Sequence, residues 1–329
     1  MQNRRAFCRT AAVTAGAALG GGLLAAPARA SGARVVAEKR LGSHIVDLTV
    51  HSAAMNRDLP VRLMLPNGWS KTADRTWPVV YAFHGGNENY QAWNNHTDIA
   101  ARSLRRQVIV VMPEGGYAGG YTDWWNYGFG NSYAWETFHL KELRPLLEQQ
   151  YRAGTKRAAF GQSTGGYGAL IYAARHPGMF KYAAAYSPFA SLLTAGVSTV
   201  MNTGLDGLKG WNGLGFNVDK FTMWGDPFWQ HDIWVQHDPV SQAANLRGTK
   251  LYVSVAKNGL PGPLDPPTAQ FADPAEAFCY YTTKPFLDRL NELKIPVTTH
   301  LYERGTHSWV YWQDELDRSW PAMMRAIGA

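Results

Sequence analysis

Cysteine is scarce in this chain of 329 residues, with only Cys8 and Cys279. Cys8 lies in an N-terminal segment that reads as removable, which leaves Cys279 alone. No intramolecular disulfide can then form, and stability must come from a packed core. Excess charge of one sign is also scarce. The formal charge of +7 falls to +3 once Arg4, Arg5, Arg9 and Arg29 leave with residues 1–30. No basic stripe of the kind that nucleic acid requires remains, so a nucleic-acid partner is excluded. Long apolar runs are missing as well. The run ending at residue 30 is short and rich in alanine and glycine, and no later stretch is long enough for an integral membrane span. Beyond that segment there is no low-complexity tract, and no internal repeat occurs anywhere.

Asn3-Arg4-Arg5-Ala6-Phe7-Cys8-Arg9 leads into an Ala/Gly-rich run that ends Ala28-Arg29-Ala30. This pattern predicts a cleaved, twin-arginine-like export signal over residues 1–30, hence a secreted or cell-envelope protein. The full chain is 46% hydrophobic and 13% aromatic, and residues 31–329 are long enough to fill the core of one large domain. Val46, Leu48 and Val50 alternate with polar positions, as do Val61, Leu63 and Leu65, around a turn at Asn56-Arg57-Asp58. That is the signature of a half-buried hairpin. The wholly apolar runs Val79–Phe83 and Val108–Met112 suit strands covered on both faces.

From about Ala134, Leu140, Leu143, Leu147 and Tyr151 recur at helical spacing. The order then repeats: strand near Ala158, helix from Ser163 to about Arg175, strands at Tyr182–Tyr186 and Leu251–Val255, helix at about Pro274–Leu293, strand Val297–Tyr302, and a last helix. Alternation of this kind predicts an α/β fold with a doubly wound, mostly parallel sheet. Periodicity is lost between Pro188 and Arg247, where Gly204, Gly207, Gly210, Gly213 and Gly215 alternate with aromatics. This predicts a cap or lid inserted at about 188–248 rather than a separate domain.

Gly161-Gln162-Ser163-Thr164-Gly165 follows one of the predicted strands and opens a helix of small residues. In that context G-x-S-x-G is the nucleophile elbow of α/β-hydrolases, and Ser163 is the candidate nucleophile. A serine hydroxyl needs a base, and the base needs an orienting acid. His307, between the last strand and the last helix, occupies the topological place of the base. Asp265, Asp273 and Glu276 all follow the seventh predicted strand, and generic topology favours an acid near the strand end such as Asp265. For the oxyanion, the backbone N–H of Thr164 and that of Gly86, in Phe83-His84-Gly85-Gly86-Asn87, are the expected donors.

Further segments bear a resemblance to the antigen 85 mycolyltransferases and the broader esterase D-like branch of α/β-hydrolases. They are Val111-Met112-Pro113-Glu114-Gly115-Gly116, Tyr121-Thr122-Asp123-Trp124, Trp135-Glu136-Thr137-Phe138, Met223-Trp224-Gly225, Asp238-Pro239 and Gly305-Thr306-His307-Ser308-Trp309. The resemblance implies a Ser–Glu–His triad, in which Glu276, followed by Phe278, takes the acid's place. It also implies no metal and no organic cofactor. The mycolyltransferases carry an Asp-Gly-x-Arg segment that helps to hold trehalose; here it reads His84-Gly85-Gly86-Asn87, and both charged contacts are gone. The family's disulfide loop is replaced by Gly128-Phe129-Gly130-Asn131-Ser132-Tyr133.

Trp124, Trp125, Trp224, Trp229, Trp234 and Trp309 are expected near the C-terminal edge of the sheet, most as packing and one or two as ligand contacts. Trp309, next to His307, is the first choice, with His84, Asn87 and Ser308 as further expected substrate contacts. The sequence thus predicts an exported serine esterase or acyltransferase that takes an acyl ester and passes the acyl group to water or to a sugar or glycolipid hydroxyl. The alternatives are a non-catalytic binding protein on the same scaffold, which a fluorophosphonate would leave unlabelled, and a serine peptidase, which would prefer amides.

Overall fold

The computed structural model describes residues 32–130, 133–208 and 218–329. The predicted export signal, Asn131-Ser132 of the replaced loop, and Gly210, Gly213 and Gly215 of the cap lie outside the described residues.

The predicted hairpin forms as β2 (Ile45–Ser52) and β3 (Arg57–Met64). Val46 pairs with Leu63 and Leu48 with Val61, so the apolar members of both strands share one face. Ahead of them runs β1 (Arg34–Arg40), which the sequence does not announce. It is a mostly exposed edge strand held by backbone pairing to β2, with charges where a core strand would alternate.

The remaining strands are β4 (Trp77–Phe83), β5 (Ile109–Pro113), β6 (Ala153–Gln162), β7 (Tyr182–Tyr186), β8 (Lys250–Ala256) and β9 (Val297–Tyr302). All nine form one sheet in the order β1-β2-β3-β5-β4-β6-β7-β8-β9. Pairing is antiparallel from β1 to β5 and parallel from β5 through β9. Consecutive residues of β4 serve opposite sides: Val79 and Tyr81 join one apolar core, Val80 and Ala82 the other. That is why the run is apolar throughout. With helices on both faces, this is the α/β-hydrolase fold.

Short helices α1 (Ala92–His96) and α2 (Ile99–Leu104) link β4 to β5. The helix expected from Ala134 begins as a wide π-helical segment, Thr137–Leu143, and continues as α3 (Arg144–Gln150). Leu140, Leu143, Leu147 and Tyr151 are all buried, as their spacing predicts. After β6 comes α4 (Thr164–Arg175), ten of whose residues are buried; such a helix must be narrow, and its glycines and alanines make it so.

Between β7 and β8 the excursion contains α5 (Val197–Asp206), α6 (His231–His237) and a 3₁₀ turn, Ala243–Leu246. Helix α7 (Pro274–Glu292) then precedes β9, and α8 (Trp309–Ile327) closes the second face, burying Trp312, Leu316, Trp320 and Met323. Among the described residues no helix is long and apolar enough to cross a membrane.

Candidate functional site

Ser163 sits between β6 and α4 with φ 52° and ψ −121°, a conformation that a non-glycine residue rarely adopts. Its N–H is tied to the Tyr186 carbonyl at 2.9 Å. The two glycines of the motif are sterically required. A Cβ on Gly161 would lie 2.4 Å from Gly165, and one on Gly165 would lie 2.3 Å from the Phe83 carbonyl oxygen. The turn therefore forms only where backbone meets backbone, and it presents Ser163 at the positive end of α4.

Parallel strands bring their C-terminal ends to one edge, and the neighbouring strands carry the other groups there. Ser187, just past β7, donates its hydroxyl to Glu276 Oε1 at 3.0 Å, and the Ala256 N–H at the end of β8 donates to the same oxygen at 2.7 Å. The other oxygen, Oε2, faces His307 Nδ1 at 2.9 Å. Glu276 has no side-chain exposure, whereas His307 keeps 14%. Trp312 meets the imidazole edge-on at 4.9 Å between ring centres. Both carboxylate oxygens are thus engaged, one of them with the histidine, as a buried polar group requires. Cys279 Sγ approaches His307 Nδ1 at 3.9 Å. Burial, then the charges of Glu276 and Asp273, push its thiol well above its ordinary value, so it stays protonated beside the imidazole.

The other two acids do different work. Asp273 caps α7 through the Ala275 N–H at 2.9 Å and holds the His307 N–H at 2.9 Å. Asp265 accepts from Gly262 N–H at 2.8 Å, from the Tyr311 hydroxyl at 2.9 Å and from Thr306 Oγ1. It braces the histidine's loop, and its hydrogen bonds go to that loop's neighbours rather than to the ring.

In the loop after β4, the Gly85 N–H goes to Glu88 Oε2 at 3.1 Å and the Asn87 N–H to the Tyr117 carbonyl at 3.1 Å. The Gly86 N–H between them points to Thr164 Oγ1 at 3.2 Å. Both expected oxyanion donors are therefore neighbours. His84, expected among the substrate contacts, is 2% exposed. Its Nδ1 donates to the Gly85 carbonyl at 2.7 Å and its Nε2 accepts the Gly115 N–H at 2.8 Å. The ring anchors the loop from inside, with both of its nitrogens engaged. The half-buried Trp309 donates its indole N–H to Glu88 Oε1 at 2.8 Å, and its ring packs on Trp93 and His96. Ser308 is half-buried at the start of α8, and its hydroxyl lies 3.1 Å from Thr306 Oγ1, whose own proton goes to Asp265. Asn87 is exposed.

Asn87 and Thr164 also line a mostly apolar cavity of about 400 Å³, walled by Phe189, Leu205, Met223 and Trp224. Of the remaining tryptophans, Trp124 and Trp234 are buried packing, Trp125 is half-buried, and Trp229 is exposed. Among the described residues, His300, Asp314 and Glu315 are close enough together to hold a metal ion. There the Glu315 oxygens already take the Tyr252 hydroxyl at 2.6 Å and face His300 Nδ1 at 2.6 Å. Two residues of the site escape the sequence reading, Ser187 and Glu88. Nothing in their neighbours marks them, since each acts through a partner far away in the chain.

Comparison with known proteins finds relatives of this chain. The Esterase family, described as "Putative esterase", matches residues 52–323. A diacylglycerol acyltransferase/mycolyltransferase, Ag85B of Mycobacterium intracellulare, is 32% identical over 303 residues, covering 88% of this chain and 86% of that protein. An esterase of Mycobacterium tuberculosis is 30% identical over 73% of this chain and 50% of its own length. The crystal structure of MPT51 from Mycobacterium tuberculosis superposes with a TM-score of 0.68 at 24% identity, over 87% of this chain and 99% of that one.

Proposed function

The chain belongs to the Esterase family, and from that membership and its 32% identity to a mycolyltransferase we propose that it cleaves acyl esters through an acyl-enzyme on Ser163. It is an ester hydrolase/acyltransferase enzyme. His307 Nε2 takes the serine proton while Nδ1 stays bound to Glu276, which fixes the tautomer and stabilises the imidazolium that forms. The N–H groups of Gly86 and Thr164 receive the tetrahedral oxyanion, the Thr164 hydroxyl turning away from Gly86 as the substrate oxygen arrives. The same imidazole then returns the proton to the leaving alkoxide and activates the acceptor. The acyl chain occupies the apolar cavity beside Thr164, which is of a size usual for small-molecule sites.

The observation that carries this reading is the His307–Glu276 hydrogen bond at 2.9 Å, at the same sheet edge as the strained Ser163 turn. The acceptor is water, or a sugar or glycolipid hydroxyl other than trehalose, because neither charged residue of the mycolyltransferases' trehalose segment stands in this loop. Residues 1–30 direct export by the twin-arginine route, and residues 31–329 form one hydrolase domain with the cap between β7 and β8. The test is turnover of a short-chain aryl ester by wild type and Ser163→Ala, with products identified by mass in the presence and absence of trehalose. Turnover should fall by on the order of 10⁴-fold in the variant. Retained turnover would refute the assignment of Ser163, and a trehalose ester among the products would refute the acceptor.

A further inference from the structure

Glu88 gathers three donors from three separate segments of the chain. Oε2 accepts the Gly85 N–H at 3.1 Å and the Gln162 side-chain amide, and Oε1 accepts the Trp309 indole N–H at 2.8 Å. Gly85 precedes Gly86, Gln162 precedes Ser163, and Trp309 lies two residues after His307. The half-buried carboxylate therefore joins the three loops that carry the proposed oxyanion donor, nucleophile and base.

The contacts around it are close. A Cβ on Gly85 would lie 2.4 Å from Gln162 Oε1, so the amide is wedged between the loop backbone and Glu88. Trp309 meets Trp312 edge-on at 5.0 Å, and Trp312 meets the His307 ring at 4.9 Å. With the Gly85 N–H held by Glu88 and the Asn87 N–H held by Tyr117, the peptide between them has little freedom, and that peptide bears the Gly86 N–H.

We propose that Glu88 is a positioning residue that locks the Gly86 loop to the serine elbow and to the His307 loop, and that turnover depends on this lock. The proposal rests on the triad reading above. All three of its partners donate, which suits a carboxylate that accepts at both oxygens. An amide of the same shape places a donor against either Trp309 or the pair Gly85 and Gln162. One arm must open, and displacement of an oxyanion donor by a fraction of an ångström to an ångström weakens transition-state binding more than ground-state binding.

The experiment compares wild type, Glu88→Gln and Trp309→Phe on a short-chain aryl ester, with rates expressed per site titrated by a fluorophosphonate. For Glu88→Gln, kcat per site should fall by about 10- to 100-fold. KM should stay within about threefold, and affinity for a trifluoromethyl ketone analogue of the ester should fall in step with kcat/KM. Trp309→Phe, which keeps a ring but loses the N–H, should give the same signature in smaller measure. Wild-type kcat per site and ketone affinity in Glu88→Gln would overturn the proposal, as would a loss confined to the number of titratable sites. Should Glu88→Gln give no titratable protein, Trp309→Phe decides by the same two readouts. Wild type that neither titrates nor turns over would instead overturn the triad reading itself.

Discussion

At Glu276 an amide cannot stand in for the carboxylate, and the reason lies in the neighbours of its other oxygen. The Ser187 hydroxyl and the Ala256 N–H both donate to Oε1, so in Glu276→Gln the amide oxygen is kept there and the NH₂ group is turned toward His307 Nδ1. The imidazole then carries its proton on Nε2 and cannot accept the one from Ser163. The loss expected is on the order of 10⁴-fold in kcat with the fold retained. Asp265→Asn, which disturbs the bracing of Gly262, Thr306 and Tyr311, should stay within about tenfold. Steady-state kinetics on the two variants decide between the acids, and the opposite ranking would return the role to Asp265. At Gly165 the cost is structural. A methyl group there meets the Phe83 and His84 carbonyl oxygens at 2.3 and 2.6 Å, so Gly165→Ala should lower stability by about 1–3 kcal/mol or more in urea unfolding.

Among the elements, α5 has the most direct bearing on substrate choice, because Val200, Met201 and Leu205 wall the cavity beside Thr164. Gly204 lies on the same helix and also lines the cavity, and among the described residues a Cβ added there would meet no atom within 4 Å. Gly204→Leu should shorten the acyl chain accepted, reducing kcat/KM for long-chain relative to short-chain aryl esters by about tenfold. A chain-length profile identical to that of wild type would show that the acyl group lies elsewhere. The π-helical segment Thr137–Leu143 is the element that departs most from its sequence pattern. The leucine spacing announces a helix, but the turns are wide, and within them the His139 ring is buried between the Tyr172 hydroxyl and the Glu114 carbonyl. A spacing rule built on regular helices does not register that accommodation.

For the molecule as a whole, two buried histidines set an acid limit. Burial lowers both His139 and His237 from 6.5 to about 4. The unfolded chain therefore binds more protons than the folded one between those values. Their contribution to stability is complete above pH 6.5 and is lost as pH falls toward 4. The melting temperature should drop across that window, and His237→Gln should flatten part of the drop; an unchanged slope in that variant would exclude His237. Much of this molecule was legible in its residues. Apolar runs fixed which strands are covered on both faces, glycines at 161 and 165 announced a turn that no side chain can enter, and the order of elements put His307 at the end of the last strand. These are local properties, and the chain expresses them wherever it folds. The family resemblance pointed to Glu276; the structure added that Glu276 meets the imidazole of His307 while Asp273 holds its backbone N–H, that His84 and Trp309 brace loops, and that Glu88 ties three segments together. Each of those outcomes depends on where a side chain finds donors from residues far away in sequence, and only the parallel sheet, by bringing strand ends to one edge, sets those distances.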